Sequence, residues 1–248
     1  MGEAHPMISI DLFLADARGH RQRVGRPLVT LSYAQSLDGS IAVCRGNPLA
    51  LSGPESLLVT HKLRAAHDAI LVGIGTVLAD KPHLNVRLVE GENPQPVVMD
   101  SHLRFPLDAN LLRNRQLPPW IVTTESADRE RQAVLEAAGA RVLRMPSDFN
   151  SRVNLKALLE RLATLGINSL MVEGGARVIT SFLAGRLVDQ LVLTITPVIV
   201  GGLHAVESLL LPDGVDVSNL AHFPKVRNLE YERLGADLMV WATLAWEV

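Results

Sequence analysis

The chain contains one cysteine, Cys44, in 248 residues. No intramolecular disulfide can form, and no cysteine-based zinc cluster can assemble. Its eight histidines include no His-x-His pair and no His-Glu-x-x-His stretch, the spacings that bring two imidazoles onto one metal ion, so no metal is expected. His61 and His67 share a predicted helix but lie on different faces of it. Aromatic residues make up 4% of the chain, too few for a base-stacking platform. With 24 basic and 26 acidic side chains the formal charge is −2, which argues against capture of nucleic acid by bulk charge. No Gly-x-Ser-x-Gly elbow occurs. No uninterrupted apolar run reaches the length of a membrane helix, and the N-terminus does not read as a secretory signal. The expectation is a soluble, cytoplasmic protein with neither nucleic-acid nor membrane partner.

What is present describes an α/β protein. At 48% hydrophobic and 20% charged residues, the chain can bury a sizeable core. Residues 1–26 read as an N-terminal arm with an acid-free basic cluster, Arg18, His20, Arg21, Arg23 and Arg26, and residues 27–248 as one domain. Such a cluster is either a solvated arm or subunit contact, or an attraction for phosphate. From residue 28 short β-branched segments alternate with helical ones. Strands are predicted at 28–34, 69–74, 97–100, 120–124, 141–145 and 169–173. A helix is predicted to start at Ser52-Gly53-Pro54-Glu55, with Ser52 as cap, Pro54 in the first turn and Glu55 completing a capping box. Two further helices, 128–138 and 155–165, stop at Gly139 and Gly166. This alternation predicts a mainly parallel sheet with helices on both faces. A long strand over 189–200 is interrupted by Pro197, and strands flanking Gly235-Ala236 predict a closing antiparallel hairpin.

Three loops carry the candidate chemistry. In the first, an apolar run enters Gly73-Ile74-Gly75-Thr76 and leaves through Asp80 and Arg87. Backbone amides and the Thr76 hydroxyl can meet a phosphate or ribose there, while Arg64 and Arg87 supply forked donors suited to phosphate. The second is Glu173-Gly174-Gly175-Ala176-Arg177, an acid closing a strand before glycines and a helix start, where a pyrophosphate can approach the backbone. The third, Ser36-Leu37-Asp38-Gly39-Ser40, reads as a turn after the first strand. Gly73-x-Gly75 alone also fits a dinucleotide fingerprint lacking its third glycine. That reading predicts an acid about 20 residues on that binds a ribose, with Glu90 and Asp100 as candidates.

Taken together, SLDG (Ser36–Gly39), LRAAHDAILVGIGTVLADKPHLNVR (Leu63–Arg87), VVMDS (Val97–Ser101), VEGG (Val172–Gly175) and TPVIVGG (Thr196–Gly202) resemble one family. It is the reductase domain of the riboflavin-biosynthesis deaminase-reductases, which has the dihydrofolate-reductase fold. The resemblance implies NADPH-dependent reduction of the ribose of a phosphoribosylamino-pyrimidine, and a homodimer paired through the late strands. It further implies cofactor contacts at Ala34, Leu49, Thr76, Asp80, Ser101 and Gly174, Gly175, Ala176, Arg177, Val178 and Ile179. Substrate contacts are implied at Ser40, Arg64, Leu84, Arg87 and Glu173, with a catalytic role for Glu173. Two departures stand out. Bacterial members usually carry Lys or Arg where this chain has Ser40, and the zinc-deaminase signature of the fused half is absent. The rivals are a reductase of the same fold acting on another pteridine or pyrimidine, dihydrofolate included, and a nucleotide-binding protein without turnover.

Overall fold

The computed structural model describes residues 9–114, 116–206 and 223–246. Two short helices, α1 (Ile10–Leu14) and α2 (Ala17–Val24), lead into β1 (Leu28–Ser36). A small hairpin of β2 (Ser40–Cys44) and β3 (Asn47–Pro48) precedes α3 (Pro54–Ala66), β4 (Ala69–Gly73) and α4 (Ile74–Asp80). The alternation continues through β5 (Gln95–Met99), β6 (Trp120–Thr124), α5 (Arg129–Ala137), β7 (Arg141–Met145), α6 (Leu155–Thr164), β8 (Ser169–Gly174) and α7 (Ala176–Ala184). After β9 (Gln190–Thr196) and the short β10 (Leu203–His204), the described chain closes with β11 (Lys225–Leu234) and β12 (Asp237–Ala245).

The main sheet has nine strands in the order β11-β12-β9-β1-β8-β4-β5-β6-β7. From β9 through β7 every pairing is parallel, while β12 is antiparallel to both β9 and β11. This is the α/β, dihydrofolate-reductase-like arrangement expected, with its closing hairpin. Alternate residues of β4 serve opposite faces: Ala69 and Leu71 join the core under α6 and α7, Ile70 and Val72 the core under α5. That double burial explains why the strand shows no polar alternation. Fully burying a side chain such as Phe182 or Phe105 stabilises by about 1.5–3 kcal/mol.

Several local expectations change in the fold. Gly53, not Ser52, caps α3, and no capping box forms. The Gly53 amide instead donates to Asp237 Oδ2 at 2.7 Å, so the β11–β12 turn supplies the acceptor that a cap side chain would have. The long strand ends at Thr196, before Pro197, because proline cannot donate to the ladder. Both backbone edges of β9 are occupied by β1 and β12; the free edge among the late strands is β11.

The described part of the N-terminal segment is helical and docked, in contrast to a solvated arm. Phe13 meets the Trp241 ring edge-on at 5.3 Å, and its carbonyl accepts from Gln190 Nε2. Arg26 forms a fork with Asp189 at 2.6 and 2.8 Å, Arg21 donates to the Ala163 carbonyl, and Arg23 pairs with Asp16. These three members of the basic cluster are thus committed to acceptors within the chain. Residues 1–8 of the expected arm lie outside the described residues.

Candidate functional site

Because β1, β4, β5 and β8 run parallel, their carboxyl ends share one edge of the sheet, the edge where ligands bind in open α/β folds. There the structure opens a cleft of about 840 Å³. Its walls include Ala34, Leu49, Thr76, Asp80, Ser101 and Gly174 through Ile179, and its substrate-side lining includes Arg64, Arg87 and Glu173. Loops far apart in sequence are therefore brought to one place.

Glu173 occupies an irregularity in the ladder: Leu71 pairs with Val172 and Val72 with Gly174, so Glu173 has no partner on β4. A bulge of this kind re-aims a side chain. The Glu173 carboxylate faces Arg64, in the last turn of α3, through Nε to Oε1 at 2.6 Å and Nη2 to Oε2 at 2.7 Å. Both side chains are largely covered, 15% and 11% exposed. Burial works against the Arg64 charge, but attraction and hydrogen bonding by Glu173 outweigh it and raise the guanidinium pKa. The pair is a bidentate, charge-assisted contact that holds an anionic carboxylate ready at the cleft.

The glycine turn after Glu173 builds the opposite wall. Gly174 and Gly175 adopt φ of 88° and 90°, a region costly for residues with a Cβ. A Cβ on Gly174 would press Ile179 at 2.9 Å, and one on Gly175 would approach Thr76 Oγ1 at 3.2 Å. The Thr76 hydroxyl also reaches the Gly174 carbonyl at 3.4 Å, tying α4 to the turn. The first amides of α7 have no intrahelical acceptor and present positive ends to the cleft. A Cβ built on Gly75 meets nothing within 4 Å, which leaves open space between the two helix starts. This glycine-lined space fits the phosphates of a dinucleotide. Burial raises the Asp80 pKa beside it.

Two sequence-predicted residues are not brought to the cleft wall. Ser40 is fully buried; its hydroxyl donates to Asp38 Oδ2 at 2.9 Å and accepts from the Gly202 amide at 3.0 Å. Asp38 also accepts from Ser36 Oγ at 2.5 Å, Val200 N at 3.0 Å and Gly201 N at 2.8 Å. Those donors hold its carboxyl well below the ordinary aspartate range, the Ser36 hydroxyl first and the two amides next. The SLDG turn is therefore a clamp on the Val200–Gly202 loop. Leu84 is 3% exposed and packs in the core beside Ile74 and Val77, so its side chain anchors the loop from below.

The cleft also contains residues the sequence reading missed. His102, Arg104 and Arg152 line the end around Ser101. His102 and Arg104 directly follow VVMDS and were within reach of sequence reasoning, whereas Arg152 comes from the turn before α6 and had no local signal. Neither acid of the Rossmann reading is placed for ribose. Asp100 is fully buried with Oδ2 accepting from the Phe105 amide at 2.8 Å, and Glu90 sits outside the cleft lining.

Fold and cleft define an α/β protein that takes its ligands at the carboxyl edge of a parallel sheet. The chain belongs to the RibD C-terminal domain family, whose model matches residues 27–240. It is 41% identical over 222 residues to the 2,5-diamino-6-ribosylamino-4(3H)-pyrimidinone 5′-phosphate reductase of Methanothermobacter thermautotrophicus, covering 88% of this chain and 99% of that one. Identity to the riboflavin biosynthesis protein RibD of Aquifex aeolicus is 37% over 217 residues, 87% of this chain but 57% of that longer protein. Among solved structures, the Saccharomyces riboflavin biosynthesis reductase Rib7 matches with a TM-score of 0.71 at 31% identity, over 95% of this chain and 99% of that one. The family is one of riboflavin-pathway reductases, and this chain is a member of it.

Proposed function

We propose that this protein is an NADPH-dependent reductase converting the ribosyl group of a 5-phosphoribosylamino-pyrimidine to ribityl. The observation that carries the reading is the Glu173–Arg64 fork on the floor of a cleft whose other wall is a glycine turn. Thr76, Asp80 and Gly174–Ile179 would hold the pyrophosphate and ribose of the cofactor, with Ala34 and Leu49 flanking its nicotinamide. Ser101, with His102, Arg104 and Arg152, forms a basic end suited to a 2′-phosphate, which favours NADPH over NADH. When bound, the cofactor supplies hydride to C1 of the opened sugar; the C1=N bond becomes CH–NH, the nitrogen taking a proton.

The protein's part is binding, orientation and charge. Glu173, fixed by Arg64, accepts hydrogen bonds from sugar hydroxyls beside the reacting carbon and favours the positive charge that a protonated C1=N bond carries. Arg64 is turned toward Glu173, so its first task is to orient that carboxylate. Arg87, exposed at the cleft rim and touching only Asn85 Oδ1 at 3.3 Å through its guanidinium, is the freer ligand for the 5′-phosphate. The diamino-pyrimidinone is the first candidate substrate, supported by the end-to-end match with the archaeal relative. A homodimer in the cytoplasm completes the reading, with β11 offering the free sheet edge.

The test is loss of NADPH absorbance with the diamino and the amino-oxo phosphoribosylaminopyrimidines, with NADH and dihydrofolate run in parallel. Oxidation with a phosphoribosyl compound and not with dihydrofolate is expected. NADPH binding without turnover of either pyrimidine would overturn the pathway assignment.

A further inference from the structure

His61 lies on α3, three residues before Arg64, and its side chain is completely buried. Its Nδ1 accepts a hydrogen bond from the backbone N–H of Arg87 at 3.2 Å. Nε2 is buried and, among the described residues, has no hydrogen-bond partner. One turn further along the same helix face, Arg64 Nη1 donates to the Asn85 carbonyl at 3.3 Å. Two neighbouring side chains of one helix thus grip the backbone of Asn85–Arg87. That segment belongs to an irregular stretch between α4 and β5. It otherwise holds itself by short-range bonds, Val86 N to Asn93 Oδ1 at 2.7 Å and Arg87 Nη1 to Asn85 Oδ1.

We infer that His61 is a positioning residue whose Nδ1 acceptor sets the register of Arg87 over the cleft. The inference rests on the reading of Arg87 as the phosphate ligand. An imidazole with one ring nitrogen buried and unpaired costs stability that an apolar side chain of the same size avoids. A local rule broken in this way beside a ligand site points to a task for the other ring nitrogen. The ring performs that task only when neutral with its proton on Nε2, since a proton on Nδ1 would face the Arg87 N–H. Burial first, and then the charges of Arg64 and Arg87, push the His61 pKa down to about 4. The acceptor form is accordingly kept through the neutral range.

The experiment compares wild type with H61L, which keeps volume and removes the acceptor, and H61N, whose Oδ1 stands where Nδ1 stood. R87A serves as reference. For each, KM is measured for the phosphorylated pyrimidine and for its dephosphorylated ribosyl counterpart, with Kd for NADPH and the exchange rate of the Arg87 amide. H61L is expected to raise KM for the phosphorylated substrate about fivefold, the worth of one ordinary hydrogen bond, and to speed exchange of the Arg87 amide. NADPH affinity and KM for the dephosphorylated compound should not move. H61N should recover KM to within about twofold and slow the exchange again. The inference is overturned if H61L leaves Arg87 exchange and KM at wild-type values, or if H61N is as defective as H61L, which would make packing the whole role. If R87A itself leaves KM unchanged, the phosphate assignment fails, while the Arg87 exchange rate still decides whether His61 sets the register.

Discussion

Glu173-Gly174 and Asp38-Gly39 look alike in sequence: each is an acid followed by glycine at or just past the carboxyl end of a sheet strand. Their surroundings differ in kind. Asp38 is ringed by donors from its own fold, two hydroxyls and two backbone amides. Glu173 meets a single guanidinium on a flexible side chain and lines the cleft. A carboxylate saturated by backbone amides is a structural tie, since none of its partners can leave without unravelling a loop. One paired with a single side chain can exchange that partner for a ligand group. The number and type of donors, rather than the acid-glycine motif, separate the site from the scaffold.

The largest effect should come from E173Q, which keeps the shape and removes the charge. Turnover is expected to fall about a hundredfold or more, with NADPH affinity nearly unchanged. Leaving Arg64 without its ion partner should also cost about 1–3 kcal/mol of stability, read by denaturant unfolding. Wild-type turnover in E173Q would erase the distinction between the two acids.

A tenfold effect is expected from G75A, which sharpens the boundary of the Glu173 cleft. The added methyl meets no protein atom within 4 Å, and alanine is the better helix former by about 0.5–1 kcal/mol. Thermal stability should hold or rise slightly while Kd for NADPH weakens about tenfold. Equal NADPH binding in the variant, measured by titration calorimetry, would show that the open space belongs to something other than the cofactor.

D38N should act on stability with little change in turnover, and only over part of the pH range. Asp38 has its pKa lowered in the folded state, so its stabilisation is fully present above the unfolded value and lost as pH falls through the folded one. The Tm gap between wild type and D38N should therefore be constant above about pH 5 and narrow on acidification. A gap that widens toward low pH would contradict the clamp.

Much of this molecule was legible in the sequence, and the misses share a cause. The strands at 69–73, 120–124, 141–145 and 169–174 and the helices α5 and α6 follow local periodicity, glycine stops and side-chain caps, with Asp128 and Asn154 in place as N-caps. The three loops also converge as parallel strands require. Ser40 and Leu84 were misplaced as cleft-lining groups because their burial depends on partners remote in sequence, Gly202 for one and the α4 core for the other. The docked N-terminal helices depend on Trp241, Gln190 and Asp189. His61 read as one of eight histidines until the fold set its ring against the Arg87 amide.

The sequence by itself determined the order and type of the elements, the parallel sheet, and the family, because periodicity, caps and turn residues act over a few neighbours. Tertiary structure alone decided which acid is free for chemistry. The amides that hold Asp38 come from 162 and 163 residues away, and the guanidinium that holds Glu173 from 109. Hydrogen-bond donors act over a few ångströms in space, and folding is what brings them there.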